Sequence, residues 1–374
     1  MTQIRPFTLA IPQSQIDDLN TRIDLTRWPE KEAVDDWSQG TPLAALQDLV
    51  GYWRRGYDWR ACEARLNALG QFITEIDGLD IHFLHVRSPN ADALPLVITH
   101  GWPGSVIEFM GVIEALANPE DGGQAFHVVA PSLPGFGFSG KPKHTGWGVE
   151  KIGRAWGELM ARLGYDRWVA QGGDWGSAVT TAIGVQQVQG CIGIHLNMPV
   201  GRPEPEELAN PTPAEVKALG ALKHYLDWDS GYSTQQRTRP QTVGYGLVDS
   251  PAGLAGWIFE KMWAWTDNAG SPFDALSRDA ILDNLMLYWL PATGASSARL
   301  YWESFGSFTP QQVTLPVAVS AFPKEILPCP RRWAERNFPN LVHWGEMDKG
   351  GHFAAWEQPD AFVRELRTAF ALMR

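Results

Sequence analysis

The sequence predicts an α/β protein whose mostly parallel sheet is interrupted by a block of helices. Short apolar runs alternate with helical stretches across residues 91–198. The alternation stops near Pro199, and residues 199–310 carry helical periodicity without a convincing strand. It resumes with apolar runs at 317–321 and 341–344. Strands separated by helices read as a parallel sheet, because parallel neighbours need a long crossover and a helix is the usual one.

Each element has its own signal. The first 70 residues are helical in pattern: apolar spacing over 15–25, and Thr41-Pro42 as N-cap and first-turn proline of a segment reaching Trp53. From Phe72 the period changes, and Ile73, Ile76, Ile81 and Phe83, broken at Asp77-Gly78, predict a β-hairpin. A strand at 96–99 precedes a helix from Val106; a strand at 127–130 precedes a helix over 149–163 that Gly164 closes. A strand at 168–171 leads into a helix after Asp174, and 192–196 is the next strand. Inside the helical block, helices are predicted over 213–226, 254–266 and 280–289. The expected organisation is an N-terminal segment (1–90), the first part of a core (91–198), a helical cap (199–310) and the second part of the core (311–374).

Composition excludes several classes. With 44% hydrophobic and 20% charged residues the chain is not disordered. A net charge of -11 argues against a nucleic-acid surface. Three cysteines, Cys62, Cys191 and Cys329, are too few and too scattered for a disulfide framework or a zinc site. The first residues lack a basic stretch followed by an apolar run, and no run of about 18 apolar residues occurs, so neither a signal peptide nor a membrane span is expected. The expectation is a reduced, cytoplasmic, enzyme-sized protein. Its oddity is 18 tryptophans against 8 tyrosines.

The strongest chemical signal is Gly172-Gly173-Asp174-Trp175-Gly176, which follows a predicted strand and opens a helix. It has the Gly-x-nucleophile-x-Gly form of a nucleophile elbow, with Asp where an esterase has Ser. A carboxylate attacking an ester carbonyl would give a high-energy anhydride. Attacking a saturated carbon, it gives an ordinary ester that water can hydrolyse. The electrophile is therefore expected to be an epoxide or an alkyl halide. The competing reading is that Asp174 simply caps the following helix.

His100-Gly101-Trp102-Pro103-Gly104 follows the run LPLVIT. In an α/β-hydrolase this loop supplies one oxyanion-hole N–H and the residue after the nucleophile the other. The backbone amides of Trp102 and Trp175 are the expected donors, and His100 is read as structural. His352, in a glycine-flanked loop near the end of the chain, is the expected general base. Three positions compete for the acid that orients it. After the 192–196 strand stands Asn197-Met198-Pro199, with no acid; Asp348 lies four residues before His352; Glu325 follows the 317–321 strand. The order Asp174, Glu325, His352 matches the nucleophile–acid–base order of the fold, so Glu325 is chosen over a surface charge paired with Lys324.

Taken together these residues resemble the epoxide hydrolases of the microsomal type, with their extra N-terminal domain. The resemblance runs through Thr26-Arg27-Trp28-Pro29, Tyr57-Asp58-Trp59-Arg60, GLDIHF (78–83), HGWPGS (100–105), PSLPGFGFSG (131–140), GGDWGS (172–177) and the cap stretch 231–261. It implies the α/β-hydrolase fold with an inserted helical cap and an N-terminal extension wrapping both. It also implies two cap tyrosines, Tyr232 and Tyr301 by position, that donate protons to the epoxide oxygen. Tyr225, Tyr245 and Tyr288 lie nearby, and spacing does not choose among them. An alkoxide is a poor leaving group, so an acid of pKa about 10 in a dry site suits the task.

The chain lacks the apolar N-terminal anchor of the membrane-bound members, and it looks like a soluble one. The expected reaction has two steps: Asp174 opens the epoxide, and water activated by His352 hydrolyses the hydroxyalkyl ester to a diol. No metal or organic cofactor is implied. The partners are a small epoxide and water, not nucleic acid, and a homodimer is compatible with the reading. A haloalkane dehalogenase, with the Trp175 indole gripping halide, is the alternative enzyme; a catalytically dead binding protein is the alternative class. The tryptophans, spread over all four segments, are expected to be packing residues, with Trp102 and Trp175 beside an apolar, water-poor site.

Overall fold

The computed structural model describes residues 3–373; residues 1 and 2 of the first predicted segment and residue 374 of the last lie outside the described residues. The strands are β1 (Arg5–Phe7), β2 (Gln71–Ile76), β3 (Leu79–Val86), β4 (Leu94–Thr99), β5 (Phe126–Pro131), β6 (Trp168–Gly172), β7 (Cys191–Leu196), β8 (Val317–Ala321) and β9 (Leu341–Glu346). They form one sheet in the order β1-β2-β3-β5-β4-β6-β7-β8-β9. From β5 to β9 the neighbours are parallel. The central strands are apolar on both faces: Leu96, Val97 and Ile98, Val129 and Ala130, and Val169 and Ala170 have no exposed surface. That is the pattern of a sheet covered by helices on both sides.

The N-terminal strands are antiparallel and extend the sheet at one edge. Asp77 and Gly78 both take positive φ, 52° and 77°, which is the conformation a two-residue hairpin turn requires. The three-residue β1 was not expected, being too short to leave a pattern of its own.

Two local expectations need correction. Thr41 does not cap the helix Leu43–Arg55, which begins after Pro42 without a side-chain cap. Its hydroxyl instead donates to the carbonyl of Gly256 at 3.0 Å, tying the N-terminal region to the cap. The helix expected from Val106 is a short 3-10 turn, Val106–Phe109, followed by a five-residue helix, Ile113–Ala117. The Ser105 hydroxyl accepts from the Ile107 N–H and donates to Asn284, so the turn is set by a distant residue rather than by helical propensity.

Between β7 and β8 the described residues are helical, as the sequence predicts. Pro205, Pro213, Pro240 and Pro251 each stand in the first turn of a helix, where a missing N–H costs nothing. The helix predicted over 213–226 ends at His224 and passes into a wide π-type turn, Tyr225–Asp229. The helix Arg278–Trp289 joins the cap to the core and to the N-terminal region. Its Asn284 donates to the carbonyl of Pro103 and its Tyr288 to that of Gly104, both at 2.7 Å. Its buried Asp283 accepts from the Tyr57 hydroxyl at 2.7 Å and from Arg65, both in the N-terminal region. Among the described residues no helix is long and apolar enough to cross a membrane.

The Asp283 contacts make a measurable prediction. Asp283→Ala leaves the Tyr57 hydroxyl and the Arg65 guanidinium without their acceptor, which costs about 1–3 kcal/mol. Thermal unfolding is expected to shift down by several degrees, and an unchanged midpoint would mean that these contacts do not hold the N-terminal region to the cap.

Candidate active site

The elbow between β6 and the helix Trp175–Gln186 places Asp174. Its backbone has φ 49° and ψ -126°, a region that non-glycine residues rarely enter. The flanking glycines are required by close approach. A Cβ on Gly172 would lie 2.0 Å from the Gly176 carbonyl oxygen, and one on Gly176 would lie 1.8 Å from that of Thr99. Asp174 makes no side-chain cap to its helix, so the helix-cap reading fails. Its Oδ1 accepts from the Trp102 N–H at 2.8 Å. The Trp175 amide is the first of the helix and has no intrahelical acceptor.

His352 stands on the other side of the carboxylate. Its Nε2 is 3.4 Å from Asp174 Oδ2, and its Nδ1 is 2.7 Å from Glu325 Oε1. All three residues are buried. Burial alone would lower the basicity of the imidazole, but the carboxylates of Glu325 and Asp174 override it and hold its pKa well above the usual 6.5. Glu325 also accepts from the Ile326 N–H at 2.7 Å, which fixes the carboxylate that meets the ring. Asp348 is exposed. Asn197 is occupied elsewhere, accepting from Gln171 at 2.7 Å. His100 bonds the Gly101 carbonyl and the Leu133 N–H, and burial lowers its pKa to about 4, as expected of a structural histidine.

Tyr232 and Tyr301 come together over this group from two different cap helices, with ring centroids 5.7 Å apart. Tyr232 stacks on Trp102 at 4.9 Å, and Tyr301 meets Trp175 edge-on at 4.8 Å. Burial raises the pKa of both phenols well above 10, so both remain neutral. The Tyr301 hydroxyl and the Trp175 indole N–H are buried without a hydrogen-bond partner. Among the other cap tyrosines, Tyr245 is exposed and Tyr288 is committed to Gly104. Tyr225 lies within the cluster, donating to Ser233 at 3.0 Å and 3.3 Å from the Tyr232 hydroxyl.

Several supporting residues escaped sequence reasoning. The Trp265 carbonyl accepts from the His352 N–H at 2.9 Å, and the Trp265 ring packs 5.0 Å from the imidazole. Lys261, only 2% exposed, pairs with Asp229 at 2.8 Å and lies 4.6 Å over the Tyr232 ring. Asp229 also accepts from the Trp265 indole at 2.7 Å. Glu357 accepts from the N–H groups of Gly351 and Phe353, which bracket His352, and from that of Asp267. Burial pushes Glu357 up to about 7 against the pull of those three donors. A buried lysine inside an aromatic stretch was the one available signal; Glu357 reads as an ordinary helix charge.

Known proteins share this arrangement of sequence and fold. The profile described as "Epoxide hydrolase N terminus" matches residues 4–109, and that of the alpha/beta hydrolase fold matches residues 95–242. The chain is 55% identical to a protein of Stigmatella aurantiaca (strain DW4/3-1) named "Putative epoxide hydrolase", over 99% of this chain and 86% of that one. It is 35% identical to epoxide hydrolase 1 of Sus scrofa, over 99% of this chain and 89% of the relative. The solved structure of Aspergillus niger epoxide hydrolase superposes with a TM-score of 0.90 at 32% identity, covering 100% of this chain and 97% of that one. On this extent of likeness along its whole length, the chain belongs to the epoxide hydrolase family.

Proposed function

We propose that the protein hydrolyses epoxides to vicinal diols through an ester on Asp174. The observation that carries the proposal is the buried line Asp174–His352–Glu325, with Asp174 held by the Trp102 amide beneath two neutral phenols. Asp174 attacks one epoxide carbon from the side opposite the C–O bond, while Tyr232 and Tyr301 donate to the departing oxygen. His352, oriented by Glu325, then takes a proton from water, which adds to the ester carbonyl. The Trp102 and Trp175 amides hold the oxyanion, and the diol leaves. None of the relatives named above is a haloalkane dehalogenase, and the dehalogenase alternative is not favoured. The same proposal assigns the chain four segments (1–90, 91–198, 199–310 and 311–374). It places the enzyme in the cytoplasm, in keeping with three unpaired cysteines.

The direct test is a single turnover of styrene oxide in ¹⁸O-water, with mass analysis of the peptide bearing Asp174. Ester hydrolysis puts label into that carboxylate. Label confined to the diol would mean that water attacks the epoxide itself.

A second expectation concerns the base. His352→Gln forms the ester but slows its hydrolysis by about 10²–10⁴-fold, so enzyme-bound ester accumulates after a rapid quench. The sign of the pH dependence follows from the role of base, with Glu325 still raising the proton affinity of the imidazole after Asp174 is esterified. Protonated His352 cannot accept a proton, so hydrolysis declines on the acid side while ester formation continues. Normal steady-state turnover by His352→Gln would remove His352 from the mechanism.

A third separates the tyrosines from the base. Tyr232→Phe and Tyr301→Phe each slow ester formation, by about tenfold or more for a lost donor in the transition state, and leave ester hydrolysis near its normal rate. Rapid-mixing measurement of the two steps checks this, and a defect confined to hydrolysis would contradict the assignment.

A further inference from the structure

Glu108 lies on the 3-10 turn Val106–Phe109, directly after the HGWPG loop, and no step described above uses it. Its carboxyl is folded into room that glycine provides: a Cβ on Gly104 would lie 1.5 Å from Glu108 Oε1. It lines a small cavity of about 20 Å³ together with Asp174, His352, Gln171 and Asn197. A water needs roughly 10–15 Å³, so the space suits a single one. The cavity is polar, and one of its groups is unsatisfied. Gln171 donates from Nε2 to Asn197 at 2.7 Å, but its Oε1 is buried without a hydrogen-bond partner. Buried acceptors of this kind are normally met by a donor, and a water in the cavity would supply one.

We propose that this cavity seats the hydrolytic water and that Glu108 holds it for attack on the Asp174 ester. This rests on the ester mechanism proposed above. In the step, one water proton passes to His352 Nε2 while the oxygen's electron pair forms the bond to the ester carbonyl carbon. The second O–H stays hydrogen-bonded to the Glu108 carboxylate. When the oxyanion collapses, the bond from the carbonyl carbon to the diol oxygen breaks. The departing alkoxide takes the proton from the imidazolium. The proton left on the water-derived oxygen of Asp174 passes to the now neutral His352, which restores the carboxylate–imidazolium pair with one oxygen from water.

The electrostatics fit this timing. Glu108 keeps part of its surface open. Burial nevertheless pushes its carboxyl up to about 8, with Asp174 and Glu357 adding to the effect, and with His352 and a hydrogen bond from Gly101 opposing it. Beyond these, Glu325 lies on the far side of the imidazole, and the neutral Tyr288 hydroxyl donates to the neighbouring Gly104 carbonyl. As the imidazole takes the water proton, its positive charge, the largest influence opposing burial at Glu108, favours the carboxylate at the moment the water attacks.

The test is rapid-quench measurement of ester formation and ester hydrolysis with styrene oxide in the wild type, Glu108→Gln and Glu108→Asp. Glu108→Gln is expected to form ester within about twofold of the wild-type rate and to hydrolyse it at least about tenfold more slowly, with kcat and KM falling together. Glu108→Asp is expected to recover part of the hydrolysis rate. Ester formation in each variant reports an intact site, so a folding defect is visible as loss of both steps. Unchanged hydrolysis in Glu108→Gln, or equal slowing of both steps in both variants, would overturn the role of Glu108 while leaving the ester mechanism standing. Absence of any ester in the wild type would overturn both.

Discussion

A carboxylate that must be buried, charged and aimed at one point governs the rest of this structure. Moving an unpaired carboxylate out of water costs several kcal/mol or more, so Asp174 is tenable only with partners already in place. It has the Trp102 N–H on one oxygen and the His352 imidazole near the other. Meeting both at once fixes the backbone at a positive φ, and the side-chain-free Gly172 and Gly176 let the neighbouring backbones close around it. The sheet order follows the same need, since β4 and β6 are neighbours and bring the HGWPG loop beside the elbow.

The cap is part of this device rather than a cover placed over it. The helix Pro251–Trp265 ends at the residue whose carbonyl holds the His352 N–H. Trp265 is itself pinned through its indole by Asp229, and Asp229 is neutralised by Lys261. Buried ion pairs contribute little net stability but can fix geometry, and here the fixed object is the loop that carries His352. The tryptophan excess finds its place in the same region. Trp102, Trp175 and Trp265 are fully buried around the carboxylate and the two phenols. They line the site with apolar surface, and a hydrogen bond to a developing charge is stronger in such surroundings.

What could be read in advance was whatever the chain writes locally or in a fixed order. The glycines around Asp174 announce a tight turn, and the strand before Glu325 sets it apart from Asp348, which lies only four residues before His352. Residues whose meaning comes from a distant partner left no such trace. Thr41 carries the local pattern of a helix cap, yet a carbonyl more than two hundred residues away outcompetes the helix for its hydroxyl. Glu108 sits in what reads as helix, and its turn is set by Ser105 and Asn284. Glu357 joins two segments of the loop around His352 to the cap, which no spacing reveals. The choice among five cap tyrosines is of the same kind: only packing separates Tyr232 and Tyr301 from Tyr245 and Tyr288.

The two halves of the proposed reaction make opposite demands on one imidazole, and its two carboxylate neighbours answer both. While Asp174 is a carboxylate, His352 lies between two anions and keeps its proton. In that state it helps to hold the nucleophile ionised and in position. Once Asp174 is esterified, one of the two anions is gone and the affinity for the proton falls, just when a neutral base is wanted. The proton count closes as well. Ring opening leaves an alkoxide that draws a proton from the phenols, and the proton His352 gives up is equal in number to the one they must regain. Glu325 remains throughout, 2.7 Å from Nδ1, so the ring does not turn as its charge changes. The covalent intermediate thus sets the protonation state that its own hydrolysis requires.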